Sequence, residues 1–121
     1  MAFYEKKIIL YFSFDFISKG GSYMSKLESA FQKDLMDEIR ARYPDCVILK
    51  NDSSYIQGFP DWTILYKDKW AVLEAKRSKN AKKQPNQPYY VDKLNTMSFS
   101  RFVYPENKDD VLRELEQIFG E

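Results

Sequence analysis

Three residues in the middle of the chain have side chains suited to hydrolysing a phosphodiester bond. Asp61 follows Pro60, and further along Glu74 and Lys76 stand two positions apart. Mg²⁺ prefers hard oxygen ligands and keeps several waters, so two carboxylates, a backbone carbonyl and a substrate phosphate suffice to hold it. A nearby lysine ammonium can orient the attacking water or stabilise developing negative charge. These residues predict a divalent-ion site.

A predicted β-hairpin must bring these residues together. Residues 63–66 and 70–75 are apolar runs separated by a short polar segment, which is the pattern of two antiparallel strands. We expect the turn to be centred on Asp68. Pairing about that centre places Asp61 close to Ala75, at one end of the sheet.

Other side chains are expected to join this end of the sheet. Glu74 and Lys76 share one face, because side chains alternate along a strand. Glu28 adds a third carboxylate from the first predicted helix, and Gln32 lies one turn later on the same helix face. A second metal ion or an ordered water could sit beside them.

The remaining patterns predict an α-β-β-β-α-β-α order. Ser25 to Glu28 has the S-x-x-E form of a capping box, and apolar residues follow at helical spacing. The last helix is expected to carry Val111, Leu112, Leu115, Ile118 and Phe119 on one face. The predicted elements are a helix over 25–42, strand Cys46–Lys50, loop Asn51–Asp61, the hairpin, helix Asn86–Met97 with Pro88 in its first turn, strand Ser98–Tyr104, and a helix capped by Asn107 and stopped by Gly120.

Size and composition predict one globular domain. The chain has 121 residues, 44% of them hydrophobic and 31% charged. Residues 1–23 contain an apolar-aromatic run and a Gly-Gly break before a second methionine. We interpret 1–23 as an appendage, either an edge strand, a dimerisation segment, or residues added by cloning or an upstream start codon. Residues 24–121 form the expected domain.

The residue types that are scarce exclude several chemistries and predict a compartment. The chain has no histidine, which excludes His-ligated zinc hydrolases and Ser-His-Asp hydrolases. Its one cysteine, Cys46, fits a reducing compartment and a buried structural thiol. No apolar run approaches the roughly 20 residues of a membrane span. We expect a cytoplasmic protein, bacterial or, if phage-encoded, in the host cytoplasm.

A basic segment follows the predicted active strand. Residues 76–83 hold five basic side chains and no acidic one, although the net charge is only +1. Such a run can neutralise phosphates, or it can be a solvated loop. Aromatic residues in the same region can either pack in the core or stack on bases of opened DNA. The candidate nucleic-acid contacts are Lys50, Lys76, Arg77, Lys79, Lys82, Lys83 and Gln32.

The motifs together resemble a known nuclease superfamily. Glu28-x-x-x-Gln32, Gly58-Phe59-Pro60-Asp61, Glu74-Ala75-Lys76 and Gln87-x-x-Tyr90 are similar to the motifs of the PD-(D/E)xK nucleases, especially the small VRR-NUC proteins, with Holliday-junction resolvases as more distant kin. The resemblance covers about residues 25–119. It implies an α/β, restriction-endonuclease-like fold with an αβββαβ core, in which a mixed central sheet is flanked by helices.

The resemblance also implies roles for individual residues. Asp61, Glu74 and the Ala75 carbonyl would bind Mg²⁺, with Mn²⁺ as a substitute. Lys76 would act on the nucleophilic water, and Glu28 would assist the metal. Gln87 would position the site, although Gln84 lies within range of the same role.

The expected activity is metal-dependent hydrolysis of DNA by an endonuclease. We expect branched, flap or junction DNA as the substrate, a homodimer as the assembly by likeness to the family, and no membrane partner. Two alternatives stay open. One is a catalytically inactive nucleic-acid-binding module on the same fold, and the other is a small phage-type protein-interaction factor.

Overall fold

The computed structural model describes residues 23–120 and has the α/β architecture that the sequence predicts. Residues 1–22, which hold nearly all of the predicted appendage, lie outside this range. Tyr23, its last predicted residue, already belongs to the first helix. The elements are α1 (Tyr23–Arg42), β1 (Val47–Lys50), β2 (Trp62–Tyr66), β3 (Lys69–Ala75), α2 (Gln87–Met97), β4 (Phe99–Val103) and α3 (Lys108–Phe119).

The four strands form one mixed sheet in the order β1-β2-β3-β4. The β1–β2 and β2–β3 pairs are antiparallel. The β3–β4 pair is parallel, with Ala75 opposite Val103, and α2 makes the crossover between these two strands. The mixed sheet that the resemblance implies is therefore present.

Alternation of side chains along the strands builds a core on both faces of the sheet. On one face, Ile64 and Leu73 are fully buried in a cluster with Phe31 and Leu35 of α1 and Leu115 of α3. On the other face, strand residues such as Val72 and Ser100 are buried, and α2 contributes its own buried Val91 and Leu94. The sheet is thus enclosed between α1 and α3 on one side and α2 on the other.

The hairpin that carries the predicted site has a different register from the one expected. Its turn has two residues, Lys67 and Asp68, because Tyr66 pairs with Lys69. Lys67 takes the left-handed conformation with φ 57°. The ladder therefore shifts by one residue, and continuing it past the Trp62–Leu73 pair brings Asp61 opposite Glu74 instead of Ala75.

One prediction about a helix end is wrong, and one residue of a predicted apolar face is partly exposed. Ser25 lies inside α1, which already includes Tyr23, so it cannot be the cap that precedes the first turn. Ile118 is 38% exposed, and the buried face of α3 ends in Phe119.

The ends of α3 lie where the sequence places them. Asn107 is the N-cap residue, but its side chain does not cap the helix. Its Oδ1 accepts a hydrogen bond from the Tyr104 N–H, and its Nδ2 donates to the Phe102 carbonyl. At the other end, Gly120 has φ 77° and donates its N–H to the Glu116 carbonyl, as expected for a terminating glycine.

Candidate active site

A cleft of about 530 Å³ opens at the end of β3 where Glu74 and Lys76 lie. It collects five of the residues that the sequence singles out for catalysis, including Glu28 from α1 and Gln87 from the start of α2. The lining residues are Glu28, Ser53, Ser54, Gln57, Gly58, Phe59, Asp61, Glu74, Lys76, Arg77, Lys82, Gln84 and Gln87.

Glu74 connects the ends of the two hairpin strands. Its Oε1 accepts a hydrogen bond from the backbone N–H of Asp61 at 3.1 Å. Its Oε2 lies 3.5 Å from the Lys76 Nζ. Glu74 is only 2% exposed and Lys76 only 7% exposed. The shared face predicted for these two residues is therefore confirmed, and both are held away from solvent.

The buried carboxyl of Glu74 has an unusual affinity for protons. Burial and the neighbouring Asp61 carboxylate raise the pKa of Glu74 from its ordinary value of 4.5 to about 7, and the Lys76 ammonium opposes the rise. Two carboxyl groups that disfavour each other's charge are stabilised by a bound cation. Perturbed carboxyl groups in a cleft are also a common property of catalytic centres.

Asp61 has its own cationic partner on β1. The Lys50 Nζ lies 3.2 Å from the Asp61 Oδ2 and also stands 4.6 Å above the centre of the Trp62 ring. Lys50, predicted to contact nucleic acid, is therefore directed toward a carboxylate of the site. It does not line the cleft.

The oxygen donors present suit a hard ion such as Mg²⁺. Among residues 23–120, no group of three or more His, Cys, Asp or Glu side chains is assembled that could hold a metal. The cleft offers the carboxylates of Asp61 and Glu74. Two carboxylates are enough for an ion such as Mg²⁺, which retains waters and takes substrate oxygens as further ligands. The backbone carbonyl of Ala75 is a further candidate oxygen ligand. The Lys76 N–H donates to the Val103 carbonyl of β4, so the Ala75 carbonyl of the same peptide group points the opposite way, toward the β2 side.

Local hydrogen bonds fix the loop that delivers Asp61. The Asn51 N–H donates to the Asp61 carbonyl at 2.7 Å, which closes the loop at its base. The Asn51 Nδ2 donates to the Pro60 carbonyl at 2.7 Å and to the Thr63 Oγ1 at 2.9 Å. The backbone of Asp61 is therefore held on two sides, by Asn51 after β1 and by the Glu74 side chain of β3.

The same loop is packed tightly against the segment before α2. Gly58 has φ 89°, and a Cβ built there would lie 2.6 Å from the Asn86 Cβ. Asn86 itself is left-handed, with φ 72°. At the start of α2, the buried Gln87 accepts a hydrogen bond on its Oε1 from the Gln84 N–H at 2.7 Å. Both glutamines considered in the sequence thus reach the cleft.

Glu28 and Gln32 are adjacent, as predicted from their helical spacing. The Gln32 Nε2 donates to the Glu28 Oε2 at 3.5 Å. Glu28 lines the cleft, whereas Gln32 does not. With Ser25 inside the helix, this pairing takes the place of the capping-box role expected for Glu28.

The basic segment divides into residues inside and outside the cleft. Arg77 and Lys82 line it together with Lys76. Lys79 and Lys83 do not line the cleft; the Lys83 Nζ stands 4.8 Å above the Phe102 ring.

Cys46 lies outside the cleft. It is half-buried and packs beside the core, and burial raises the pKa of its thiol.

Several lining residues were missed at the level of sequence. Ser53, Ser54 and Gln57 all belong to the loop that ends at Asp61. Their residue types are those of an ordinary surface loop, so composition gave no signal. Their position was informative, because a loop leading into a site residue must pass close to that site.

Comparison with known proteins adds no relative to this description. No protein-family model matches the chain, and it matches no curated protein and no solved structure. Among the helices of residues 23–120, none has both the length and the apolar character needed to cross a bilayer.

Proposed function

We propose that the protein is a metal-dependent deoxyribonuclease of the PD-(D/E)xK type. The observation that carries the proposal is that Asp61, Glu74 and Lys76 lie in one cleft at the same end of the β2–β3 hairpin. Two carboxyl groups share a cleft there, one of them buried and resisting ionisation, with a buried lysine 3.5 Å from it. Such a constellation is costly for folding, and a role in binding a cation and a phosphate accounts for it.

Each residue has a distinct task in this proposal. Asp61 and Glu74, with the Ala75 carbonyl, are the ligands for Mg²⁺ or Mn²⁺, and Glu28 assists from α1. When bound, the ion would act as a Lewis acid that polarises the phosphodiester. Lys76 holds the attacking water and stabilises negative charge on the phosphoryl group. Gln87, buried and already hydrogen bonded, keeps the start of α2 in place beside the site.

Lys76 is well suited to this task because of where it is fixed. Its backbone N–H bonds the Val103 carbonyl at 2.8 Å, and its side chain is almost fully enclosed. An ammonium held in this way is preorganised, so it does not lose conformational entropy when the phosphate enters. Arg77 and Lys82, also in the cleft, contribute charge that attracts the DNA backbone.

The fold supports the proposal without carrying it. The α-β-β-β-α-β-α order contains the αβββαβ core that the resemblance implies, and the sheet is mixed, as in that core. The restriction-endonuclease-like description of this fold remains part of the proposal. A homodimer acting on branched DNA is the assembly that the family likeness favours.

Cleavage of labelled four-way junction, flap, duplex and single-stranded DNA tests the activity. The wild-type protein is assayed with Mg²⁺, Mn²⁺ or EDTA, beside Asp61→Asn, Lys76→Met and, as a control, Asp92→Asn, an exposed residue of α2 away from the cleft. We expect metal-dependent cleavage that Asp92→Asn retains and the two site variants lose by at least about a hundredfold. Binding without cleavage by the wild-type protein would favour an inactive binding module.

A further inference from the structure

A second cavity, of about 320 Å³, adjoins the cleft. It is lined by Asn51, Asp52, Tyr55, Ile56 and Phe59. Phe59 also lines the cleft that holds Asp61 and Glu74, so this residue is shared by the two spaces. A ligand in the second cavity therefore lies next to whatever occupies the first.

The aromatic residues of this cavity are carried by a loop with several internal hydrogen bonds. The Asp52 Oδ1 accepts hydrogen bonds from the N–H and hydroxyl of Ser54, at 2.9 and 2.6 Å. The Tyr55 N–H donates to the Asp52 carbonyl, and the Phe59 N–H donates to the Ile56 carbonyl. Two consecutive turns thus fix the backbone that carries Tyr55 and Phe59.

Helix α2 supports one ring and leaves the other open. The Phe59 and Tyr90 rings lie 5.8 Å apart, and Tyr90 in turn contacts Tyr89 edge-on at 5.0 Å. Phe59 is therefore backed by a row of aromatic side chains. Tyr55 is 85% exposed, so core packing does not explain its ring. An exposed aromatic ring beside a cleft that contains Arg77 and Lys82 is available to a flat ligand that can stack on it.

We propose that this cavity binds an unpaired base of single-stranded DNA whose neighbouring phosphate lies in the cleft. The inference rests on the proposed nuclease function and names its substrate: a strand with unpaired bases at the site of cleavage. Stacking on Tyr55 and Phe59 requires an accessible base face, and a continuous duplex presents only base edges. Arg77 and Lys82, which line the cleft together with its carboxylates, supply positive charge for the neighbouring phosphate of that strand.

Fluorescence anisotropy of the full chain in EDTA, where no metal-dependent cleavage occurs, tests the cavity separately from catalysis. The probes are a labelled single-stranded thymidine oligonucleotide and a labelled duplex of the same length. Tyr55→Ala removes the ring, Tyr55→Leu keeps an apolar side chain without a ring, and Tyr55→Trp keeps a ring. Met97→Ala is the control, because Met97 is 60% exposed at the other end of α2.

We expect the wild-type protein to prefer the single strand. Tyr55→Ala and Tyr55→Leu weaken single-strand binding about tenfold, while Tyr55→Trp and Met97→Ala do not. Equal affinity of the wild type for both probes, or unchanged binding by Tyr55→Ala, overturns the inference even if the protein cleaves DNA. Tyr55-dependent single-strand binding by a protein that cleaves nothing upholds the cavity and overturns the nuclease proposal instead.

Discussion

The Glu74 carboxylate accepts a hydrogen bond from the backbone N–H of Asp61 at 3.1 Å, although the two side chains carry the same charge. This contact ties the end of β3 to the residue that precedes β2. It places the two carboxyl groups in one cleft and leaves their mutual repulsion unrelieved by solvent, since Glu74 is buried. The combined effect of burial and of that repulsion on Glu74 can be measured in the folding equilibrium.

Glu74 should make stability fall as the pH rises. Its pKa of about 7 in the folded protein exceeds the ordinary value of 4.5, so between these pH values the folded state holds a proton that the unfolded chain has released. The stabilisation is complete below pH 4.5 and is lost as the pH rises through 7. Relative to Glu74→Gln, the wild type should lose up to about 3 kcal/mol of unfolding free energy between pH 4.5 and 8.

Urea unfolding in EDTA at several pH values measures this difference. Asp92→Asn, at an exposed position of α2, serves as the control and should follow the wild-type profile. A difference between wild type and Glu74→Gln that stays constant across the window would show that Glu74 titrates normally.

Lys82 should contribute more to DNA binding than Lys79. Lys82 lines the cleft, whereas Lys79 is exposed outside it. Lys82→Ala should therefore reduce the slope of log affinity against log salt concentration by about one, the loss of one phosphate contact. Lys79→Ala carries the same change in net charge and should leave that slope near the wild-type value. Equal effects of the two variants would mean that only net charge matters.

Gly58→Ala should destabilise the loop that carries Asp61. The new Cβ would meet the Asn86 Cβ at 2.6 Å, and the φ of 89° disfavours a side chain there. We expect a loss of about 1–3 kcal/mol in unfolding free energy. Gly120→Ala is a matched control, because Gly120 also has positive φ but nothing lies within 4 Å of its Cβ position. A larger loss in Gly120→Ala would contradict the close approach.

Lys76→Met should raise the affinity of the Glu74 carboxyl for protons. The substitution keeps much of the buried volume but removes the ammonium 3.5 Å from Glu74, which now lowers the Glu74 pKa. The Glu74 pKa should therefore rise above about 7. Its titration can be followed through the carboxyl carbon signal in NMR. An unchanged or lower Glu74 pKa in Lys76→Met would contradict the predicted effect of the Lys76 ammonium on Glu74.

The order of the elements was predictable because each carries a strong local signal. Leu35 and Ile39 recur at helical spacing in α1, and the apolar runs of the hairpin are separated by a polar turn. The register was not predictable, because the turn has no glycine to show which residue takes positive φ, and Lys67 does so. That one-residue difference decides whether Asp61 faces Glu74 or Ala75.

The ion-pair partners of buried charged residues could not be predicted from local sequence patterns either. Lys108, the first residue of α3, is 3% exposed and lies 2.6 Å from the Glu38 Oε1 of α1. In sequence it looks like an ordinary surface lysine at a helix start. Its burial follows from how α1 and α3 meet, which is a property of the tertiary fold. Glu74 and Lys76 were found because their spacing matched a motif, while their burial was not foreseen.

Binding of Mn²⁺ to the full chain tests the central claim most directly, because it examines the Asp61–Glu74 pair without DNA. The loss of the free Mn²⁺ signal in electron paramagnetic resonance measures the affinity of the wild type, Asp61→Asn, Glu74→Gln and the control Asp92→Asn. We predict that the two site variants bind at least about tenfold more weakly than the wild type and the control. Equal binding by all four proteins, or no binding by the wild type, would contradict the account.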